Sequence, residues 1–394
     1  MTGGLKNNYI CEWGIYESDI DYSCQAIFPD QEDERCEPVS LNYKIEEHAM
    51  RKVRLGRTNL EVTRWALGGI PLSTVMGGKD EETINQVLNA ALDYGINFVD
   101  TSRVYMDSET NIGKVMKTRR TECIIATKSH SREYDAVMTD LEASLNELQT
   151  DKIDIYQVHE LYPQEVSTVM GKGGALEAFK KAKDQGMIDF IGLTSHHVSV
   201  MVELIKTGEF DTAMFPFNVI EREPEKELLS LARAEDVGTM VMKPLAGGVF
   251  TNIEKCFKYL NGFPVDIILN GIANLDELKE NLKYAESTEP LTSEELKAFE
   301  EEVAPLGKDF CRRCSYCLPC PNDILIPIMI NVFYPQVKGR KYDDLTDKQQ
   351  RMGKNLMIWW QACEECGQCE DKCPYNLQII KRKNEMLEIF SKAQ

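Results

Sequence analysis

No apolar run in this sequence approaches the roughly 18–20 residues needed to cross a bilayer, so no membrane span is expected. The N-terminus, MTGGLKNNYICEWG, has neither a basic region nor an apolar core of the kind a signal peptide carries, and a cytoplasmic location follows as the expectation. Basic charge is in short supply: 45 Lys and Arg stand against 64 Asp and Glu, a formal net charge of −19. That balance argues against a nucleic-acid ligand or an anionic membrane surface, which need a basic footprint. Histidine is scarce at five. What is abundant is cysteine, with 13, of which eight crowd after residue 310 at a spacing that a disulfide framework would not normally adopt.

Part of the negative charge is local. Residues 1–49 hold 11 Asp and Glu against 3 Lys and Arg, which marks them as an acidic N-terminal extension, either solvated or partner-binding. Residues 50–61 resemble a short hairpin around Gly56. From there, short apolar stretches alternate with amphipathic ones. Strand candidates are 62–69, 97–101, 123–128, 153–159, 188–195, 212–217, 239–245 and 265–271, near-continuously apolar as strands buried on both faces should be. Helical candidates lie between most of them, at 82–94, 140–148, 175–185, 199–207, 226–235, 253–260 and 275–285. In the first, Ile84, Val87, Leu88, Ala91 and Leu92 form one stripe. Eight strands with helices over about 240 residues predict a (β/α)8 TIM barrel spanning 50–290. An open doubly wound sheet would carry a Gly-rich phosphate turn after its first strand, and Gly-Gly-Ile-Pro-Leu at 68–72 is not one. Thr292 and Glu295 form a capping box before a helical connector, 291–310.

Residues 311–394 form a second, small region of helices and loops that is rich in cysteine. Its first group is Cys311, Cys314, Cys317 and Cys320, followed by Pro321; its second is Cys363, Cys366, Cys369 and Cys373, followed by Pro374. Three thiolates at two-residue gaps grip one face of a cubane, and a fourth before proline ligates the other cluster. On that rule Cys311, Cys314, Cys317 and Cys373 hold one [4Fe–4S] cluster, and Cys363, Cys366, Cys369 and Cys320 hold a second. The first group departs from the bacterial spacing by one residue before its last cysteine. A pair of zinc sites is the rival reading, since paired Cys-x-x-Cys also suits zinc. Four in-line cysteines followed by proline, twice, favour iron–sulfur. The region resembles dicluster ferredoxin domains, which implies a low-potential, anaerobic setting with clusters passing electrons; a purely structural role for them is the other reading.

In a barrel of this kind the chemistry lies at the C-terminal ends of the strands. Asp100, Lys128 and His159 end three adjacent strands, and Tyr105 follows the first of them. An ammonium beside a phenol stabilises the phenolate, a carboxylate aims the ammonium, and an imidazole can bind a carbonyl oxygen. Together they can protonate an oxygen that gains charge as hydride reaches carbon.

Gly-Ile-Asn-Phe-Val-Asp-Thr-Ser with Tyr105 and Glu109, Ala-Thr-Lys at 126–128 and Asp-Ile-Tyr-Gln-Val-His at 154–159 resemble the aldo-keto reductases, over about 50–285. With the cysteine region, the chain resembles the iron–sulfur-containing branch of that family. The resemblance implies an oxidoreductase that moves hydride between a nicotinamide cofactor and a small carbonyl or alcohol substrate. It makes Tyr105 the general acid, Lys128 and Asp100 its tuners and His159 the carbonyl-binding residue. Ser195 and Asn218 would face the nicotinamide end. The turn Pro244-Leu245-Ala246-Gly247-Gly248 could admit the pyrophosphate. At the positions where NADP-preferring members carry cations stand Gly271 and Glu277, which favours NAD over NADP. Glu277 also closes a capping box, three residues on from Asn274. Met214 and Met242 occupy positions where the family has a Gln and a ring-stacking aromatic. They motivate a second reading: an electron-transfer or assembly subunit of a redox complex, with a catalytically degenerate barrel. Hydride carries two electrons together and clusters pass them singly, so coupling them calls for a flavin or a redox partner protein; no flavin motif is visible.

Overall fold

The structure, a computed structural model, describes residues 50–77, 79–308, 311–312, 317–324, 326–373 and 375–391. The acidic extension, with Cys11, Cys24 and Cys36, and the predicted ligand Cys314 lie outside them.

A two-stranded antiparallel hairpin comes first. It pairs β1 (Lys52–Arg54) with β2 (Glu61–Thr63), in a register that sets Lys52 opposite Thr63. Eight parallel strands then close into a barrel: β3 (Trp65–Gly68), β4 (Phe98–Asp100), β5 (Ile124–Ser129), β6 (Ile153–Val158), β7 (Ile188–Thr194), β8 (Thr212–Pro216), β9 (Gly238–Met242) and β10 (Ile267–Gly271). Each pairs with the next, and β10 closes the ring on β3. The predicted (β/α)8 architecture is therefore the observed one. The hairpin takes more of the chain than expected, because 61–63 pair back onto 52–54, and the first barrel strand begins only at Trp65.

Amphipathic helices cover the outside. In the helix Glu81–Asp93 the five buried side chains are Ile84, Val87, Leu88, Ala91 and Leu92, and Asp80 caps its start by accepting from the Thr83 amide. Ser108–Arg119 and Tyr134–Glu147 are among the helices that differ from the sequence expectation. Ser108–Arg119 was not anticipated, because its buried face carries Ser108, Glu109 and Asn111 beside Ile112, Val115 and Met116 and so lacks an apolar stripe. Tyr134–Glu147 begins six residues before the expected 140. The connector helix Ser293–Lys308 starts at its capping box, where Glu295 accepts from the Thr292 amide at 2.8 Å.

Inside the barrel, strand alternation puts every second side chain inward. Ala66, Phe98, Ala126, Ile155, Met214, Met240 and Ile267 form an apolar plug, with Leu55 and Val62 of the hairpin region in the same cluster. The plug blocks the N-terminal end and leaves chemistry to the other. A separate core, built around Ile330, Phe333, Trp360, Met386 and Phe390, belongs to the cysteine-bearing region. Among the described residues no helix is long and apolar enough to cross a membrane.

Candidate functional site

Two residues on from Phe98, Ala126 and Ile155, the same alternation turns Asp100, Lys128 and Gln157 inward, one layer above the plug. The register places Asp100 beside Ala126, and Lys128 beside Gln157. Asp100 and Lys128 are 4% and 1% exposed and meet as an ion pair, Nζ to Oδ1, at 2.5 Å. Lys128 also donates to the Thr101 carbonyl at 2.6 Å, and the Gln157 amide donates to the other Asp100 oxygen at 2.9 Å. Burial pushes the Asp100 carboxyl up, and the attraction of Lys128 and the Gln157 bond pull against it. Such a pair persists in the interior only because its remaining valences are satisfied.

Above this layer sit an aromatic and an imidazole. The Tyr105 ring meets the His159 ring edge to face at 5.7 Å between centroids, and Lys128 Nζ lies 5.1 Å from the Tyr105 centroid. The backbone just after each ring residue is tightly wound: Met106 has φ of 55° and Glu160 of 49°, both left-handed. Ser102 Oγ stands 2.9 Å from His159 Nδ1. All four sequence-predicted residues thus come together at one barrel mouth. Gln157 and Ser102 were not anticipated. For Gln157 a signal existed, since it shares the inward phase of His159 on β6. Ser102 gave none, because only the fold brings it to the imidazole. Glu109 is fully buried, accepts from Thr127 Oγ at 2.5 Å and pairs with Arg103 at 2.6 Å; burial raises its carboxyl.

On the other side of the mouth, Ser195 and Asn218 are buried with their polar atoms engaged. Ser195 Oγ donates to the Leu161 carbonyl at 2.7 Å and accepts from the His197 amide at 2.9 Å. Asn218 donates to Glu221 Oε2 and to the Lys243 carbonyl, and its oxygen accepts from the Ile220 and Glu221 amides. All four hydrogen-bonding positions of that side chain are filled. Met214, 2% exposed, belongs to the apolar plug, and Met242 packs against it.

The turn after β9 is left-handed at Lys243, Ala246, Gly247 and Gly248. Gly247 and Gly248 face open space, with nothing within 4 Å of where a Cβ would stand, so the backbone there is approachable. Pro244 is buried and Leu245 half-buried, so those two anchor the turn. Gly271 ends β10 exposed, and a side chain there would press on Pro71 at 2.9 Å. Glu277 spends both carboxylate oxygens on the helix cap, accepting from the Ala273 amide and the Asn274 side chain.

The cysteines after residue 310 form the second constellation. Cys320, Cys363, Cys366, Cys369 and Cys373 carry free thiols. A cavity is lined by Cys317, Cys320, Cys363, Cys366 and Cys369, together with Trp360 and several Ile and Pro side chains. Cys320 therefore meets the second group across more than forty residues of chain. Cys373 is buried, and Cys311 is half-buried against the same small core. Among the described residues no group of three His, Cys, Asp or Glu is placed to hold a metal ion. Thiols spread around a void suit a cubane, in which each thiolate takes a different corner.

Comparison with known proteins bears on both constellations. The Aldo/keto reductase family model matches residues 65–261, and a 4Fe-4S dicluster domain model matches residues 310–378. The chain is 26% identical over 309 residues to an uncharacterized oxidoreductase, YqkF, of Bacillus subtilis, covering 64% of this chain and 97% of that protein. It is 31% identical over 222 residues to the aldo-keto reductase YhdN of the same organism, covering 51% and 64%. Among solved structures it is similar to the holo form of aldo-keto reductase AKR11C1 from Bacillus halodurans, with a TM-score of 0.56, 26% identity, and 64% and 96% of the two chains covered.

Proposed function

This chain belongs to the aldo/keto reductase family and carries a C-terminal 4Fe-4S dicluster domain, and from that premise we propose that it reduces a small carbonyl compound, or oxidises the corresponding alcohol, at the Tyr105–Lys128–Asp100–His159 mouth. The observation that carries the reading is the buried Asp100–Lys128–Gln157 layer with Tyr105 and His159 directly above it.

A nicotinamide cofactor would supply the hydride. The open backbone at Gly247 and Gly248 fits its pyrophosphate, and Ser195 and Asn218 would line its nicotinamide end. An amide reaching Asn218 would displace one of the four bonds that now saturate it. NAD is favoured over NADP, because Gly271 offers no cation and the Glu277 carboxylate repels a 2′-phosphate.

The chain's own residues then do the following. Lys128, aimed by Asp100, places a positive charge against Tyr105 and so favours the phenolate that remains once Tyr105 gives its proton to the substrate oxygen. His159 donates to the same oxygen from Nε2. That requires the Ser102 hydroxyl to donate to Nδ1, its 2.9 Å neighbour, rather than to the Lys128 carbonyl at 3.4 Å. Oxidation of an alcohol runs the same proton path backwards.

In the second domain, Cys363, Cys366, Cys369 and Cys320 would hold one [4Fe–4S] cluster, and Cys311, Cys314, Cys317 and Cys373 a second. Those groups would carry single electrons, to or from a redox partner protein or a flavin that splits the hydride pair. A second reading, an electron-transfer or assembly subunit with a barrel that has lost hydride chemistry, draws on Met214 lying within the plug and on the saturated Asn218.

Anaerobic turnover of Tyr105→Phe against a panel of carbonyl compounds tests the proposal. The expected result is a loss of about 10²–10⁴-fold, the usual worth of a positioned acid, with cluster absorbance intact. Retained turnover overturns the assigned acid. Failure of the unsubstituted protein to quench NADH or NADPH fluorescence, with its clusters still reducible, favours the subunit reading.

A further inference from the structure

Two tryptophans stand side by side near the end of the helix Asp347–Gln361. Trp359 is 43% exposed and Trp360 only 1%, because consecutive helical positions point about 100° apart. Trp360 packs into the small core, and its carbonyl accepts from the Cys363 amide at 3.1 Å. It lines the cavity shared by Cys317, Cys320, Cys363, Cys366 and Cys369. Its indole Nε1–H is buried and has no hydrogen-bond partner among the described residues.

An indole N–H can only donate, so nothing but an acceptor can satisfy it, and buried donors are rarely left unpaired. The indole of Trp65 is likewise unpartnered, yet it sits among the apolar side chains of the barrel. What distinguishes Trp360 is the sulfur-lined cavity in front of it. Resting on the reading that Cys320, Cys363, Cys366 and Cys369 hold a cluster, we propose that Trp360 donates a hydrogen bond from Nε1 to a sulfur of that cluster and raises its reduction potential. The physical reason is electrostatic. Taking up one electron from an external reductant makes the sulfurs more negative, and a fixed N–H dipole stabilises the reduced state more than the oxidised one. No bond or proton of Trp360 changes in the step.

The test is a dithionite redox titration of the full chain, reconstituted anaerobically with iron and sulfide and followed by electron paramagnetic resonance. Trp360→Phe keeps the ring and removes the donor. At the wild-type midpoint of the affected cluster, its reduced-to-oxidised ratio should fall roughly three- to tenfold, the factor a net hydrogen bond gives, while the other cluster is unmoved. Trp359→Phe should leave both midpoints in place. Unmoved midpoints in Trp360→Phe with full iron content, or an equal shift in Trp359→Phe, overturn the inference while leaving the cluster reading standing. If Trp360→Phe loses its iron, the unsubstituted protein labelled with 15N-indole decides: a nitrogen coupling to the reduced cluster supports the hydrogen bond, and its absence refutes it. Reconstituted protein without iron or labile sulfide overturns the cluster reading itself, and this inference with it.

Discussion

Replacing Lys128 by Met isolates the charge at the centre of the barrel mouth. The pair is almost wholly withdrawn from water, at 1% and 4% exposure, and its two members touch at 2.5 Å. Removing one partner leaves an uncompensated buried carboxylate, which costs about 3–5 kcal/mol. For a barrel of this size that corresponds to a fall of roughly 6–20 °C in apparent Tm at a fixed scan rate. The cost should depend on pH in a definite sense. Burial already raises the Asp100 carboxyl, and losing Lys128 removes the chief influence pulling it down, so its folded pKa rises further. Above the unfolded value of about 3.9, the folded variant then binds more protons than its unfolded chain, and stability falls as pH rises. The fall continues until pH passes the folded value, and then levels off. Lys128→Met should therefore come nearest to wild type in mild acid and lie furthest below it at pH 8. Adding Asp100→Asn, which removes the orphaned charge, should recover most of the loss at pH 8 and flatten the pH dependence. Calorimetry of the three proteins at pH 5 and pH 8 decides the matter. A loss below about 1 kcal/mol for Lys128→Met, equal at both pH values, would show that water reaches Asp100 and would refute the buried-pair argument.

Two further outcomes follow from the same geometry. Ser102→Ala removes the group beside His159 Nδ1; kcat should fall about tenfold, equivalent to about 1.4 kcal/mol in the transition state, with KM and cluster absorbance little changed. A KM effect with kcat retained would show that Ser102 does not orient the imidazole. Glu277→Gln keeps an acceptor for the helix cap but removes its charge, so NADPH should gain on NADH by about fivefold in a fluorescence titration, roughly 1 kcal/mol. An unchanged preference would show that Glu277 stands clear of the 2′ position.

Much of this protein is legible in one dimension because its governing patterns are local. Near-continuously apolar strands such as 153–158, and the stripe from Ile84 to Leu92, each carry their own structure, so eight strands in order suffice for a barrel. Cysteines with two residues between them can share one face of a cluster, a pattern visible in the chain alone. Asp100, Lys128 and His159 are readable because parallel strands end together, and inward phase follows from alternation.

Where partners are distant in sequence, only the closed barrel decides. Gln157 becomes the second ligand of the Asp100 carboxylate, and Ser102 the neighbour of His159, through strand register and loop path, which no short pattern encodes. The helix Ser108–Arg119 hides its periodicity because it buries Glu109 and Asn111, polar residues that become acceptable inside only when Arg103, Thr127 and the Leu72 carbonyl arrive to pair with them. In the second domain the sequence supplied the thiols, but folding brought Cys320 to the cavity of the later group and turned one tryptophan of an adjacent pair inward. The division has a single cause: spacing along the chain determines which groups can share a face, while burial and desolvation, which set their chemistry, depend on everything packed around them.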